Sequence, residues 1–110
     1  MITVEQLARE LGGEFLAGEA AKDREITGGY AGDLLSWVMG RAKEGDAWLT
    51  VMSNVNTIAV AVLADVACIV LCEGAALEPD ARTRAGEQEV PGIGTALPGY
   101  GAAGRLGALL

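Results

Sequence analysis

The sequence predicts an α/β fold, a single three-layer domain over residues 1–110 with a small, mostly parallel sheet flanked by helices. Three observations predict it. Helical periodicities alternate with short β-rich runs along most of the chain, the order that builds strand–helix–strand crossovers. The run Ala67-Cys68-Ile69-Val70-Leu71 is apolar without alternation, as a strand covered on both faces must be. The chain has 110 residues, 51% apolar and 21% charged, which is the length and balance of one globular domain.

The elements follow in order. Thr3-Val4-Glu5-Gln6 is a capping box, and Val4, Leu7, Ala8 and Leu11 then recur at helical spacing until Gly12-Gly13 stops the helix. Glu14 to Ala17 reads as a short strand and Arg24 to Thr27 as a second. Gly28-Gly29-Tyr30-Ala31-Gly32 reads as a strand-to-helix turn, with Asp33 placed to cap a helix that carries Leu34, Leu35, Val38, Met39 and Ala42. Glu44-Gly45-Asp46 turns the chain into the strand Ala47 to Val51. Ser53-Asn54-Val55-Asn56 offers caps for a helix from Thr57 to Leu63, and Ala67 to Leu71 is the next strand. Pro79 sits at the first position of a polar helix. Val90 to Thr95 is a last short strand and Pro98 to Leu110 a last helix, weakened by its glycines. Strand alternation puts Trp48 with Thr50 on one face and Leu49 with Val51 on the other. Trp48 is therefore expected to be buried, and Trp37, off the apolar stripe of its helix, to be exposed.

Charge and composition exclude several functions. Fifteen acidic residues against eight basic leave a formal charge of −7, with no histidine. Without histidine there is no Ser-His-Asp or Cys-His system and none of the common zinc sites. The acid excess argues against nucleic acid and against an anionic membrane surface, since both need clustered Lys and Arg. Met1-Ile2-Thr3-Val4-Glu5 lacks a basic region followed by an apolar one, so no secretory signal is expected. The apolar stretch from Thr57 to Cys72 is broken by Asp65 and is shorter than the ~20 residues a span needs. On a strand, Cys68 and Cys72 lie roughly 13 Å apart on one face. A disulfide needs Cα atoms within about 7 Å, so both are read as buried thiols in a reducing cytoplasm.

Candidate sites are few. Gly99-Tyr100-Gly101-Ala102-Ala103-Gly104 matches G-x-G-x-x-G, but only six residues follow and none is acidic, so it is no dinucleotide fingerprint. Glu87 with Glu89, and Asp23 with Glu25, sit in polar stretches where nothing would raise a carboxyl pKa for acid–base work. More informative is the segment Gly28-Gly29-Tyr30 to Asp33. Its glycines can take positive φ, its backbone N–H groups can meet an anion, and Tyr30 can serve as an aromatic platform. The plainer reading is a tight turn with Asp33 as helix cap. Thr50, Asn54 and Asn56 form a second polar cluster at a strand end, where open α/β sheets bind ligands; capping explains these Asn residues equally well. No catalytic residue, metal ligand or cofactor is expected.

Leu11-Gly12-Gly13-Glu14, Asp23-Arg24-Glu25-Ile26-Thr27-Gly28-Gly29-Tyr30, Asp33-Leu34-Leu35-Ser36 and Lys43-Glu44-Gly45-Asp46-Ala47-Trp48-Leu49-Thr50, with Asn56 before Ala59-Val60-Ala61, occur in an order that resembles the stand-alone DRTGG-domain proteins of bacteria and archaea. The family's name residues stand split here, as Asp23-Arg24 and Thr27-Gly28-Gly29 around Glu25-Ile26. More distantly the chain is similar to the N-terminal domains of Mur ligases and HPr kinase, where the unit is an accessory module that in some Mur ligases helps hold a uridine nucleotide. The resemblance implies a non-catalytic regulatory or protein-interaction module that homodimerises. DRTGG domains accompany CBS domains in pyrophosphatases or precede phosphotransacetylase domains, and stand-alone copies are encoded near iron hydrogenase subunits. A protein partner in a redox or metabolic complex is thus implied. The alternative is a small-molecule sensor that binds a nucleotide or other anion at the Gly28-Gly29-Tyr30 loop.

Overall fold

The computed structural model describes all 110 residues. The chain opens with β1 (Ile2–Thr3) and α1 (Val4–Glu10). The capping box forms: Gln6 N–H donates to Thr3 Oγ1 at 3.2 Å and Thr3 N–H to Gln6 Oε1 at 2.8 Å. β1 pairs antiparallel with β3 (Glu25–Ile26), a small ribbon outside the main sheet. The main sheet contains β2 (Glu14–Ala17), β4 (Gly28–Ala31), β5 (Asp46–Thr50), β6 (Cys68–Leu71) and β7 (Gly92–Gly94), in the spatial order β2-β7-β6-β5-β4. β4 through β7 run parallel, and β2 joins β7 antiparallel.

Three layers result because the buried strands alternate their side chains between two apolar faces. Ala47, Leu49, Cys68, Val70 and Ile93 share a core with Val4, Leu7 and Leu11 from α1 and with Ala102 and Leu106 from α5 (Gly99–Leu109). Trp48, Ile69 and Leu71 point the other way. They meet Val38 of α2 (Leu35–Arg41), Ile58 and Ala61 of α3 (Val55–Ala64), and Ala81 and Ala85 of α4 (Pro79–Glu87). The crossover helices α2, α3 and α4 thus cover one face, and the helices nearest the chain ends cover the other. No helix is long and apolar enough to cross a membrane.

Trp48 is fully buried and Trp37, off the apolar stripe of α2, is 55% exposed, as expected. Both cysteines are free and buried on the same face of the sheet. Two local expectations need correction. Gly28-Gly29-Tyr30-Ala31 is not a turn but the strand β4, in unbroken parallel register with Asp46 to Leu49. Positive φ falls instead at Gly12, Gly18, Gly45 and Gly74. The glycine pair is there for space: a Cβ on Gly28 would lie 2.7 Å from Asp46 Oδ1, and one on Gly29 2.6 Å from Leu106 Cδ2. Asp33 does not cap α2, whose N-cap is Leu34 without a side-chain bond. The Asp33 carboxylate turns across the sheet to β5 instead.

Candidate functional site

The parallel strands end on two cavities, one at each end of β4. The carboxyl-end cleft, about 300 Å³, is built where β4, β5 and β6 finish and α5 begins. Thr50, the last residue of β5, donates its hydroxyl to Asp33 Oδ1 at 2.6 Å, and the Val51 N–H donates to the same oxygen at 3.0 Å. Thr50 Oγ1 in turn accepts from Met52 N at 3.2 Å. Cys72 lies beside them, its N–H bonded to the Thr50 carbonyl at 3.0 Å. Glu73 follows at φ 59°, held by its N–H on the Leu97 carbonyl at 2.8 Å. Burial pushes the Cys72 thiol up, and the Glu73 and Asp33 carboxylates push it further, against a backbone hydrogen bond from Thr50 that pulls it down. The cleft is acidic, and its thiol stays protonated at neutral pH, the less nucleophilic form.

The amino-end recess, about 480 Å³, is lined by Thr27, Gly28, Gly29 and Tyr30 entering β4, and by Arg41, Lys43, Glu44 and Asp46 entering β5. Parallel pairing accounts for this company, since the turn before β5 must lie beside the start of β4. Asp46 is buried and accepts from the Lys43 N–H through Oδ2 at 2.8 Å, which fixes the turn. The Arg41 guanidinium lies 3.7 Å over the Trp37 ring, a cation–π contact that holds the side chain at the rim. Neither Arg41 nor Lys43 is in a salt bridge.

The structure therefore divides the residues singled out by sequence. Gly28, Gly29 and Tyr30 line the amino-end recess, while Asp33 and Thr50 bond to each other in the carboxyl-end cleft. Asn54 caps α3, accepting from Thr57 N at 3.2 Å. Asn56 is exposed on the first turn of that helix, and neither Asn lines a cavity described above. Arg41, Lys43, Cys72 and Glu73 were not among the sequence candidates. The Lys43-Glu44-Gly45-Asp46 turn was the available signal, because a strand–helix–strand crossover returns it to the start of the first strand, against Gly28. No group of three or more His, Cys, Asp or Glu gathers to hold a metal ion.

A mostly parallel sheet, covered by three crossover helices on one face and by the first and last helices on the other, defines a small three-layer α/β domain. The chain is similar to the crystal structure of the CBS and DRTGG domains of the regulatory region of Clostridium perfringens pyrophosphatase, complexed with the activator diadenosine tetraphosphate. The TM-score is 0.77 at 13% identity, over 94% of this chain and 45% of that one. The fold is DRTGG-like, and the chain spans under half the length of that structure. No family model matches the chain, and no curated protein matches it.

Proposed function

We propose that the chain is a non-catalytic regulatory module, one DRTGG-like domain that acts as a homodimer in the cytoplasm. The observation that carries this reading is the fold match over 94% of the chain to a regulatory region. The acidic, hydrogen-bonded carboxyl-end cleft supports it too: its carboxylates and protonated thiol suit structure better than turnover. A protein partner in redox or energy metabolism rests on the sequence resemblance alone.

A second reading, a nucleotide or anion sensor, is favoured by one observation. Arg41 and Lys43 stand free of salt bridges beside Gly28, Gly29 and the Tyr30 ring, so phosphate charge and a base face both have a counterpart there. Thermal unfolding across a panel of mono- and dinucleotides separates the readings. A ligand at a hundred times its dissociation constant adds about 2.7 kcal/mol. A melting shift that disappears in the double variant Arg41→Ala, Lys43→Ala supports the sensor, and no shift across the panel removes it.

A further inference from the structure

The two edges of the main sheet are finished differently. β2 is bulged between Phe15 and Ala17, pairs with β7 antiparallel, and has α1 and α4 packed nearby. Bulges and covering helices are how proteins keep an edge from pairing with another chain. β4 has no bulge; α5 packs against one of its faces, but no strand pairs with its outer edge. It is straight in register, carries no charge or proline, and alternates partly buried residues (Gly28, Tyr30) with exposed ones (Gly29, Ala31). Thr27 donates inward to the Gly45 carbonyl at 3.0 Å, so alternation turns the N–H and C=O groups of Gly28 and Tyr30 outward.

The flanks of this edge fit a second copy of the same chain. Arg41 and Lys43 lie at the amino end of β4, and Asp33, whose Oδ2 takes no hydrogen bond within the chain, lies past the carboxyl end. Antiparallel pairing about a two-fold axis normal to the sheet brings Arg41 and Lys43 of each copy, which share their rim with Glu44 and the buried Asp46, to the Asp33 end of the other, twice by symmetry. Parallel pairing would set like charges together. That axis also keeps corresponding faces on the same side, so α5 meets α5. The α5 surface beside the edge is Ala103, Gly107 and Leu110, an apolar groove of about 240 Å³ with Gly29 and Ala31. Its small residues let two helices approach closely.

We infer that β4 is the homodimer interface, pairing antiparallel with β4 of a second copy to give one continuous ten-stranded sheet. This rests on the homodimer reading above and specifies its surface. Light scattering on the full chain tests it with a charge pair on α5. The wild type is expected at twice its 11.3 kDa mass. Ala103→Glu and Ala103→Lys, each placing like charges across the axis, should weaken the dimer at least tenfold, and an equimolar mixture of the two should restore it. Amide exchange at Gly28 and Tyr30 should slow as wild-type concentration rises. This second measurement decides the matter if either variant fails to fold. A dimer untouched by both charges, or exchange at Gly28 and Tyr30 independent of concentration, overturns the β4 interface and leaves the homodimer standing. A monomer at every concentration overturns both.

Discussion

The two ends of the parallel strands share one backbone and carry different chemistry, cations with carboxylates at one and carboxylates alone at the other. At the amino end, Arg41, Lys43, Glu44 and Asp46 surround glycines where a Cβ would meet the side chains of Asp46 and Leu106. At the carboxyl end, Asp33 and Glu73 surround a threonine and a cysteine. The cysteines at the two ends of β6 have different charged neighbours. Cys68, at the amino end, is pushed up to about 12 by burial, with Arg24 pulling it down. Cys72, past the carboxyl end, is raised by burial and by two carboxylates. Burial raises both thiols first, and the flanking charges then differ in sign, Arg24 near Cys68 and Glu73 with Asp33 near Cys72. A loop after a strand and a loop before its parallel neighbour never meet, so the two cavities can differ without conflict.

The largest effect expected is alkaline. Cys68 has a folded-state pKa near 12 against an ordinary 9.0, so above pH 9 the unfolded chain releases a proton that the folded chain keeps. Its contribution is whole below pH 9 and is lost as pH rises toward 12, at about 1.4 kcal/mol per pH unit. Cys72 adds loss of the same sign. Urea unfolding against pH should therefore flatten more in Cys68→Ala than in Cys72→Ala. Equal flattening would mean that the two thiols are shifted alike.

Glycine substitution sharpens the comparison next. Gly28→Ala should cost about 1–3 kcal/mol by overpacking, because Asp46 is held by Lys43 N and cannot move aside. Gly32→Ala, past the other end of β4, meets only the Tyr30 ring at 3.1 Å and should cost under about 1 kcal/mol. Chemical denaturation measures both, and the reverse order would refute the packing argument. The carboxyl end is tested through Asp33. Asp33→Ala leaves the Thr50 hydroxyl and the Val51 N–H without their acceptor and should cost about 1–2 kcal/mol, while Asp33→Asn keeps an acceptor and should cost less. Equal losses for Ala and Asn would show that the charge, not the hydrogen bonds, holds β4 to β5.

Much of the fold was legible in the sequence because its signals are local. The Thr3–Gln6 box, the Pro79 start and the unbroken run before Cys72 each act within one element, and each formed as read. The site was less legible. Gly28-Gly29 has no intrinsic strand preference, so its place in the sheet comes from pairing with Asp46 and Ala47, far along the chain. Asp33 looked like a helix cap because capping is a local use of carboxylate, yet Thr50 offers a shorter bond from across the sheet. Arg41 and Lys43 joined the glycines only through parallel register, which no window of neighbouring residues encodes.

The strand order carries a consequence for synthesis. β2, near the start of the chain, has one partner in the sheet, and that partner is β7, near the end. β4, β5 and β6 can assemble on one another as they leave the ribosome, each beside a strand made shortly before. Phe15 must wait for Ile93, its register partner, and such distant pairings come late because a long loop has to close first. Until then one edge of β6 stands open with Ile69 and Leu71 beside it. A chain released before Gly92 therefore loses two strands, the one not yet made and the one made among the first.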